Sequence, residues 1–253
     1  MAQLRRLIPH LVVMVLVPLA HLELSAAHAA AQSTQDLRGA VCAVVDSASL
    51  VAREGRWYPS YVGSDSTIAL RGCHGSGLLL TPYSVVTVSD VASPSSPLAL
   101  VFDFRDDIAA PKFFRQDQVR IVRSIVNCGD DLVLLLFDDE LKNRPTPANC
   151  DYFVTDQDSV LAIGHVLGRR MKSWSPAAVV CASVDCPQEF TSSLLMDADA
   201  SGAPVFLSRG YLAGRAVAIH HRSSSPFAPM SCVCRVSVTQ SHAARLSVLS
   251  TNH

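Results

Sequence analysis

Gly75-Ser76-Gly77-Leu78-Leu79-Leu80, a short turn, and then Val85-Val86-Thr87-Val88-Ser89-Asp90-Val91 is the stretch that decides the fold. Two short runs rich in Leu and Val, split by turn residues, read as a β-hairpin; neither holds a helical period. Working outward, similar blocks recur on both sides, separated by Pro, Ser, Asp and Gly. Strands are expected near Val41 to Val45, Gly77 to Leu80, Val85 to Val88, Leu98 to Phe102, Val119 to Val126 and Leu132 to Phe137. A second set is expected near Val160 to Gly164, Ala177 to Cys181, Ala203 to Leu207, Leu212 to Ile219 and Cys232 to Val238. Only Gln240 to Leu249 carries even a weak helical period. Many short strands with regular turns predict an all-β sandwich or pair of barrels.

The first residues form a separate element. Arg5 and Arg6, the apolar run Leu11 to Val17 and the small residues around Ala27 to Ala31 read as a secretory signal, so residues 1–31 are set aside from the fold. No other stretch approaches the ~18 apolar residues needed to span a bilayer, so a soluble, secreted mature chain is expected. A net charge of -1, with no Lys/Arg run beyond Arg169-Arg170, argues against nucleic-acid binding, which needs a concentrated basic surface. Eight cysteines (Cys42, Cys73, Cys128, Cys150, Cys181, Cys186, Cys232 and Cys234) behind a signal favour disulfides, with connectivity left open. Zinc ligation by Cys232, Cys234, His220 and His221 is disfavoured because the spacing fits no usual structural site, and no metal or cofactor is expected.

The polar, twice proline-bearing segment Lys142-Asn143-Arg144-Pro145-Thr146-Pro147 divides the two strand sets. The expected organisation is an N-terminal barrel over 38–145, a C-terminal barrel over 146–240 and a tail over 241–253.

Three segments in order carry the chemistry: the hairpin with Asp90, then Asp131-Leu132-Val133-Leu134-Leu135, then Asp199-Ala200-Ser201-Gly202-Ala203-Pro204. With Val217-Ala218-Ile219-His220-His221 they resemble the trypsin-like (chymotrypsin-type) serine proteases, over most of the mature chain, with a lean towards the bacterial-like and glutamyl endopeptidase branch. The order of base, acid and nucleophile segments matches that family. The resemblance implies two six-stranded β-barrels with the site in the crevice between them. It places Ser201 as the nucleophile, Asp131 as the orienting acid, Asp199 and Ala200 in the oxyanion turn and His220 in the substrate pocket.

The departures cluster around the same reaction. Asp90 stands where the family has its catalytic histidine, and a carboxylate is a poor base at neutral pH unless it is strongly desolvated. Asp199 replaces the glycine whose N–H helps bind the oxyanion, bringing a carboxylate beside developing negative charge. Cys73 matches a cysteine that bridges to the residue after the histidine, but Val91 stands there, which leaves the base loop without that brace. His74, His165, His220 and His221 are not expected to replace the base, the last two because their strand approaches from the other barrel. The expectation is therefore a secreted protease homologue that does not hydrolyse peptides and binds a peptide or protein partner in the crevice. The alternative is an active serine endopeptidase with a displaced base.

Overall fold

The computed structural model describes residues 37–235 except 65–66, 93–95, 106–108, 130, 147–153, 183–188, 195, 198 and 222–230. The expected helix in the C-terminal tail, and the end of the strand expected to reach Val238, lie outside the described residues. The first half runs β1 (Val41–Asp46), β2 (Leu50–Arg53), β3 (Arg56–Pro59), β4 (Tyr61–Val62), β5 (Ala69–Leu70), β6 (Cys73–Thr81) and β7 (Ser84–Val88). It continues through the short helix α1 (Ser89–Ala92), β8 (Leu98–Phe102), β9 (Phe114–Arg115), β10 (Val119–Ile121), β11 (Ser124–Gly129) and β12 (Leu132–Leu136). The second half contains β13 (Ser159–Gly164), β14 (Lys172–Ala182), β15 (Glu189–Ser192), β16 (Pro204–Leu207), β17 (Ala216–His221) and β18 (Ser231–Arg235).

In the first half, seven strands form one antiparallel sheet in the order β10-β8-β1-β6-β7-β12-β11. Its two edges are successive pieces of chain. Val122 donates its N–H to Leu98 O of β8 and Arg123 donates to Leu136 O of β12, so the bend between β10 and β11 curls the sheet round on itself. The single strand expected over Val119 to Val126 is thus broken at Val122 and Arg123, where the chain leaves one neighbour for another. In the second half, β13-β14-β15-β18-β17-β16 close into a six-stranded barrel, which leaves no unpaired edge. The strand expected from Leu212 to Ile219 begins only at Ala216, because 211–214 form a turn, and it extends to His221. Sequence reading did not anticipate β2–β5, β9, β15 or α1, all four residues or fewer.

The hairpin from which the reading began is β6–β7, paired Leu78 with Val86 and Leu79 with Val85. Gly75 to Leu80 and Ser84 to Val88 are buried throughout. This absence of polar/apolar alternation follows from position: one face of the hairpin fills the first barrel and the other faces the second. A single apolar cluster accordingly joins Val41, Leu78, Val86 and Leu134 of the first barrel to Leu161, Ile163, Phe206 and Ile219 of the second. At roughly 1.5–3 kcal/mol for each fully buried aliphatic side chain, this shared cluster holds the two walls of the crevice together.

The segment expected to act as a linker is tied down at one point. Arg144 donates to both oxygens of Asp103 (3.2 and 2.7 Å) and to Gly39 O, and its guanidinium lies 4.6 Å from the Phe102 ring centroid. Burial pushes the Asp103 carboxyl up, but hydrogen bonds from Arg144 and Gln118 and the nearby arginine charges outweigh it and hold it below its usual value. These contacts of a half-buried pair fasten the chain as it leaves the first barrel.

The cysteines correct one expectation. Cys42, Cys73 and Cys128 are free thiols, so a disulfide framework using all eight does not hold. Burial pushes the Cys42 thiol far up and that of Cys73 up to about 12, which leaves both protonated and unreactive at neutral pH. Cys150 and Cys186 lie outside the described residues.

Candidate active site

The Ser201 turn is built by local geometry. Ala203 N–H bonds back to Ala200 O (3.1 Å) and Gly202, third in the turn, has φ of 80°, the mark of a type II turn. Gly202 N–H donates to His220 O and His220 N–H to Ala203 O, both at 2.8 Å, so two residues of one strand face one of the other. With a left-handed glycine in first position this is a G1 bulge. It ends the β16–β17 ladder and leaves Ser201 on one side and His221 on the other as the next residues beyond it. A Cβ on Gly202 would collide with Ser76 O and the Thr87 hydroxyl, and one on Gly75 would collide with Ser201 O. Glycine at these two positions lets the serine turn lie directly against β6.

Contacts across the seam are specific. Ser76 N–H donates to Ser201 O (2.9 Å) and His165 N–H donates to Ser76 Oγ (2.7 Å), while within the first barrel Thr87 Oγ1 donates to Ser76 O (2.7 Å). Ser201 is only 8 % exposed. Ala200 N–H is spent on Asp197 O (3.0 Å). Asp199 is an exposed turn residue whose φ lies outside the left-handed region, so the turn takes its left-handed residue at Gly202.

On the other wall, α1 places Asp90 in its first turn, where the residue is exposed, while Val91 and Ala92 are buried. Apolar packing of Val91 against the core therefore braces this loop, in place of the missing disulfide. Ser89 N–H donates to Asp131 O (2.9 Å) and Ser89 Oγ donates to Asp131 Oδ1, which fastens α1 to the start of β12. Asp131 itself holds a φ of 63°, a left-handed conformation that Asp tolerates better than most residues.

The two histidines of β17 separate as strand neighbours do, pointing to opposite faces. His220, the expected pocket residue, is 4 % exposed. His221 is the next residue along β17. Although it belongs to the other barrel, it reaches across the seam and sets Nδ1 4.0 Å from Asp131 Oδ2, while its Nε2 is buried without a hydrogen-bond partner among the described residues. Alternation along β17 was the available signal, since a buried His220 requires His221 to face the crevice. The other two histidines among the described residues have partners of their own. His74 Nε2 meets Asp46 Oδ1 at 2.9 Å, and His165 is fully buried with its ring stacked on Phe104. No group of three or more metal-binding side chains occurs among the described residues.

Two facing β-barrels, with a serine turn from the second and an aspartate and short helix from the first lining their seam, define a serine protease fold of the chymotrypsin type. Two solved structures it resembles are both of a protease, Rv3671c from M. tuberculosis H37Rv. Its serine-to-alanine variant in an inactive form superposes with a TM-score of 0.55 at 11 % identity, covering 85 % of this chain and 90 % of that one. The inactive form of the same protease gives 0.54 at 12 % identity, over 85 % and 92 %. No family profile and no curated protein matches the sequence. Likeness at this identity establishes the fold alone.

Proposed function

We propose that this chain is an exported serine protease homologue that binds an extended peptide or protein segment in the crevice between its barrels and does not turn peptides over. The observation that carries the reading is Asp90. It occupies the base position as an exposed carboxylate, without the burial that would make a carboxylate a competent base. The oxyanion turn, with Asp199 in place of the glycine whose N–H binds the oxyanion, adds a second obstacle to amide hydrolysis. A crevice that fits an extended backbone needs neither group to bind one. The expected result with mixed peptide libraries is cleavage at background, identical in Ser201→Ala. Cleavage that disappears in that variant would instead favour an active endopeptidase with a displaced base.

Export rests on the signal-like start, and among the described residues no helix is long and apolar enough to cross a membrane. Three free thiols out of eight leave five cysteines, so one chain can hold at most two disulfides and must keep at least four thiols. Protein from its native secretory route should start near Gln32 and, unfolded in denaturant without reductant, take up at least four alkyl groups. Intact mass reads both; a retained N-terminus would refute cleavage, and fewer than four labels would refute the thiol assignment.

A further inference from the structure

We infer that the outward face of the small sheet β2–β3–β9 is a docking surface for an acidic polypeptide segment, separate from the crevice. The sheet sets three arginines in one row. Arg53 of β2 stands directly opposite Arg56 of β3, and Arg56 directly opposite Arg115 of β9, so the three side chains share a face and span roughly 10 Å from strand to strand. All three are exposed. Like charges directly opposite one another across strands are destabilising, and here two such pairs follow in succession. Other residues secure the sheet. Glu54 and Gly55, with φ of 50° and 71°, make the hairpin turn, and Leu50, Trp57 and Phe114 of the inward face pack with Ala43 and Val45 of β1.

The charges are oriented but not neutralised. The Arg56 guanidinium lies 4.2 Å from the Phe113 ring centroid, and Phe113 packs against Tyr58 with centroids 6.0 Å apart. Stacking sets the plane of the guanidinium and uses none of its N–H donors, which suit a carboxylate. Of the three arginines only Arg115 has a carboxylate partner among the described residues, Asp117, with two bonds of 3.0 Å. No run of basic residues in the sequence reveals the row, since each arginine comes from a different strand.

The dimensions favour a narrow acidic chain over an anionic bilayer. Beside the arginines only Val51 is strongly exposed, at 43 %, while Tyr58 and Phe113 are half-buried, so the face offers little that could enter an acyl layer. Glu54 and Asp117, exposed beyond the two ends of the row, would oppose a negative plane but can flank a single chain. An extended run of Asp and Glu presents a carboxylate on one face about every 7 Å, which matches cations spread over roughly 10 Å. The surface also lies away from the barrel seam. Along β1 and β8, Val44, Leu98 and Leu100 turn to the cluster that joins the barrels, whereas Val45, Ala99 and Val101 turn to the small sheet. A partner can therefore hold this face while the crevice is occupied.

The test is binding of fluorescein-labelled octaglutamate to the purified mature protein, read by fluorescence anisotropy at low ionic strength. Saturable binding is expected, weakened at least ~3-fold by adding ~0.15 M salt. Arg56→Glu should weaken it at least ~10-fold, and Arg53→Glu, which leaves the Phe113 stack in place, at least ~5-fold. Arg209→Glu, exposed on a turn of the second barrel, should bind as the wild type does. Arg53→Gln should melt no lower than the wild type, because it relieves a like-charge pair; a merely structural arginine would melt lower when replaced. A folded wild-type protein that does not bind, binding unchanged in the Arg53 and Arg56 variants, or a lowered midpoint in Arg53→Gln would overturn the inference. So would attachment to phosphatidylglycerol vesicles without binding of the peptide. Each of these outcomes leaves the crevice reading standing, since no crevice residue is altered.

Discussion

Asp90→His combined with Asp199→Gly is expected to produce Ser201-dependent peptide cleavage at least ~100-fold above that of either single variant. A positioned base contributes typically 10²–10⁴-fold, and an oxyanion donor about 10²–10³-fold. Because both act on one transition state, restoring one without the other should return little. The structure makes position 90 suitable for repair. Ser89 N–H is bonded to Asp131 O at 2.9 Å, so an imidazole on the next residue starts beside the acid that would orient it. Val91 is buried, so α1 is held in place without a disulfide. Glycine at 199 would remove a carboxylate from the turn that ends in Ser201 and restore the backbone freedom an oxyanion-binding N–H requires. Turnover of a peptide library, with circular dichroism to establish folding, measures the effect. A folded double variant with cleavage at background would show that the assignment of Ser201, Asp131 and position 90 is mistaken.

Much of the fold was legible because the sequence repeats one physical pattern. Val41 to Val45, Leu98 to Phe102 and Leu132 to Leu136 are apolar runs closed by turn residues, and each is a buried strand. What escaped was short or bent. The strands Tyr61–Val62 and Ala69–Leu70 offer two residues each, too few for any period, and the break at Val122 and Arg123 reflects curvature of the sheet, which no local pattern encodes. At the candidate site, order along the chain was enough to bring Asp90, Asp131 and Ser201 into consideration. It could not show that His221 would cross the seam, since that depends on how far two barrels interpenetrate. Gly75 and Gly202 set that approach by removing side chains where the backbones meet.

Stability is expected to fall by about 3 kcal/mol between pH 6.5 and pH 4 through one residue, His165. Its ring is fully buried, stacked on Phe104 of the first barrel with centroids 6.1 Å apart and planes at 10°. Nδ1 lies 2.9 Å from Arg169 O; since a carbonyl can only accept, Nδ1 carries the proton and Nε2 is an unprotonated nitrogen, buried without a partner. Burial, opposed only by the bond to Arg169, pushes the imidazole down from 6.5 to about 4. Between those values the unfolded chain binds a proton that the folded one refuses. The full stabilisation is therefore present above pH 6.5, is lost progressively as pH falls to about 4, and changes no further below that. Asp103 and Asp46, both held below the usual carboxylate value, lose their contributions at lower pH, which separates the two effects. Denaturant unfolding of the wild type from pH 7 to pH 4 should thus show a slope approaching one proton. In His165→Phe, which keeps a ring against Phe104 but cannot titrate, that slope should vanish. An equal slope in both proteins would mean that the proton binds elsewhere. The consequence reaches the crevice, because His165 N–H holds Ser76 Oγ while Ser76 N–H holds Ser201 O, so the residue that acid disfavours is two hydrogen bonds from the Ser201 turn.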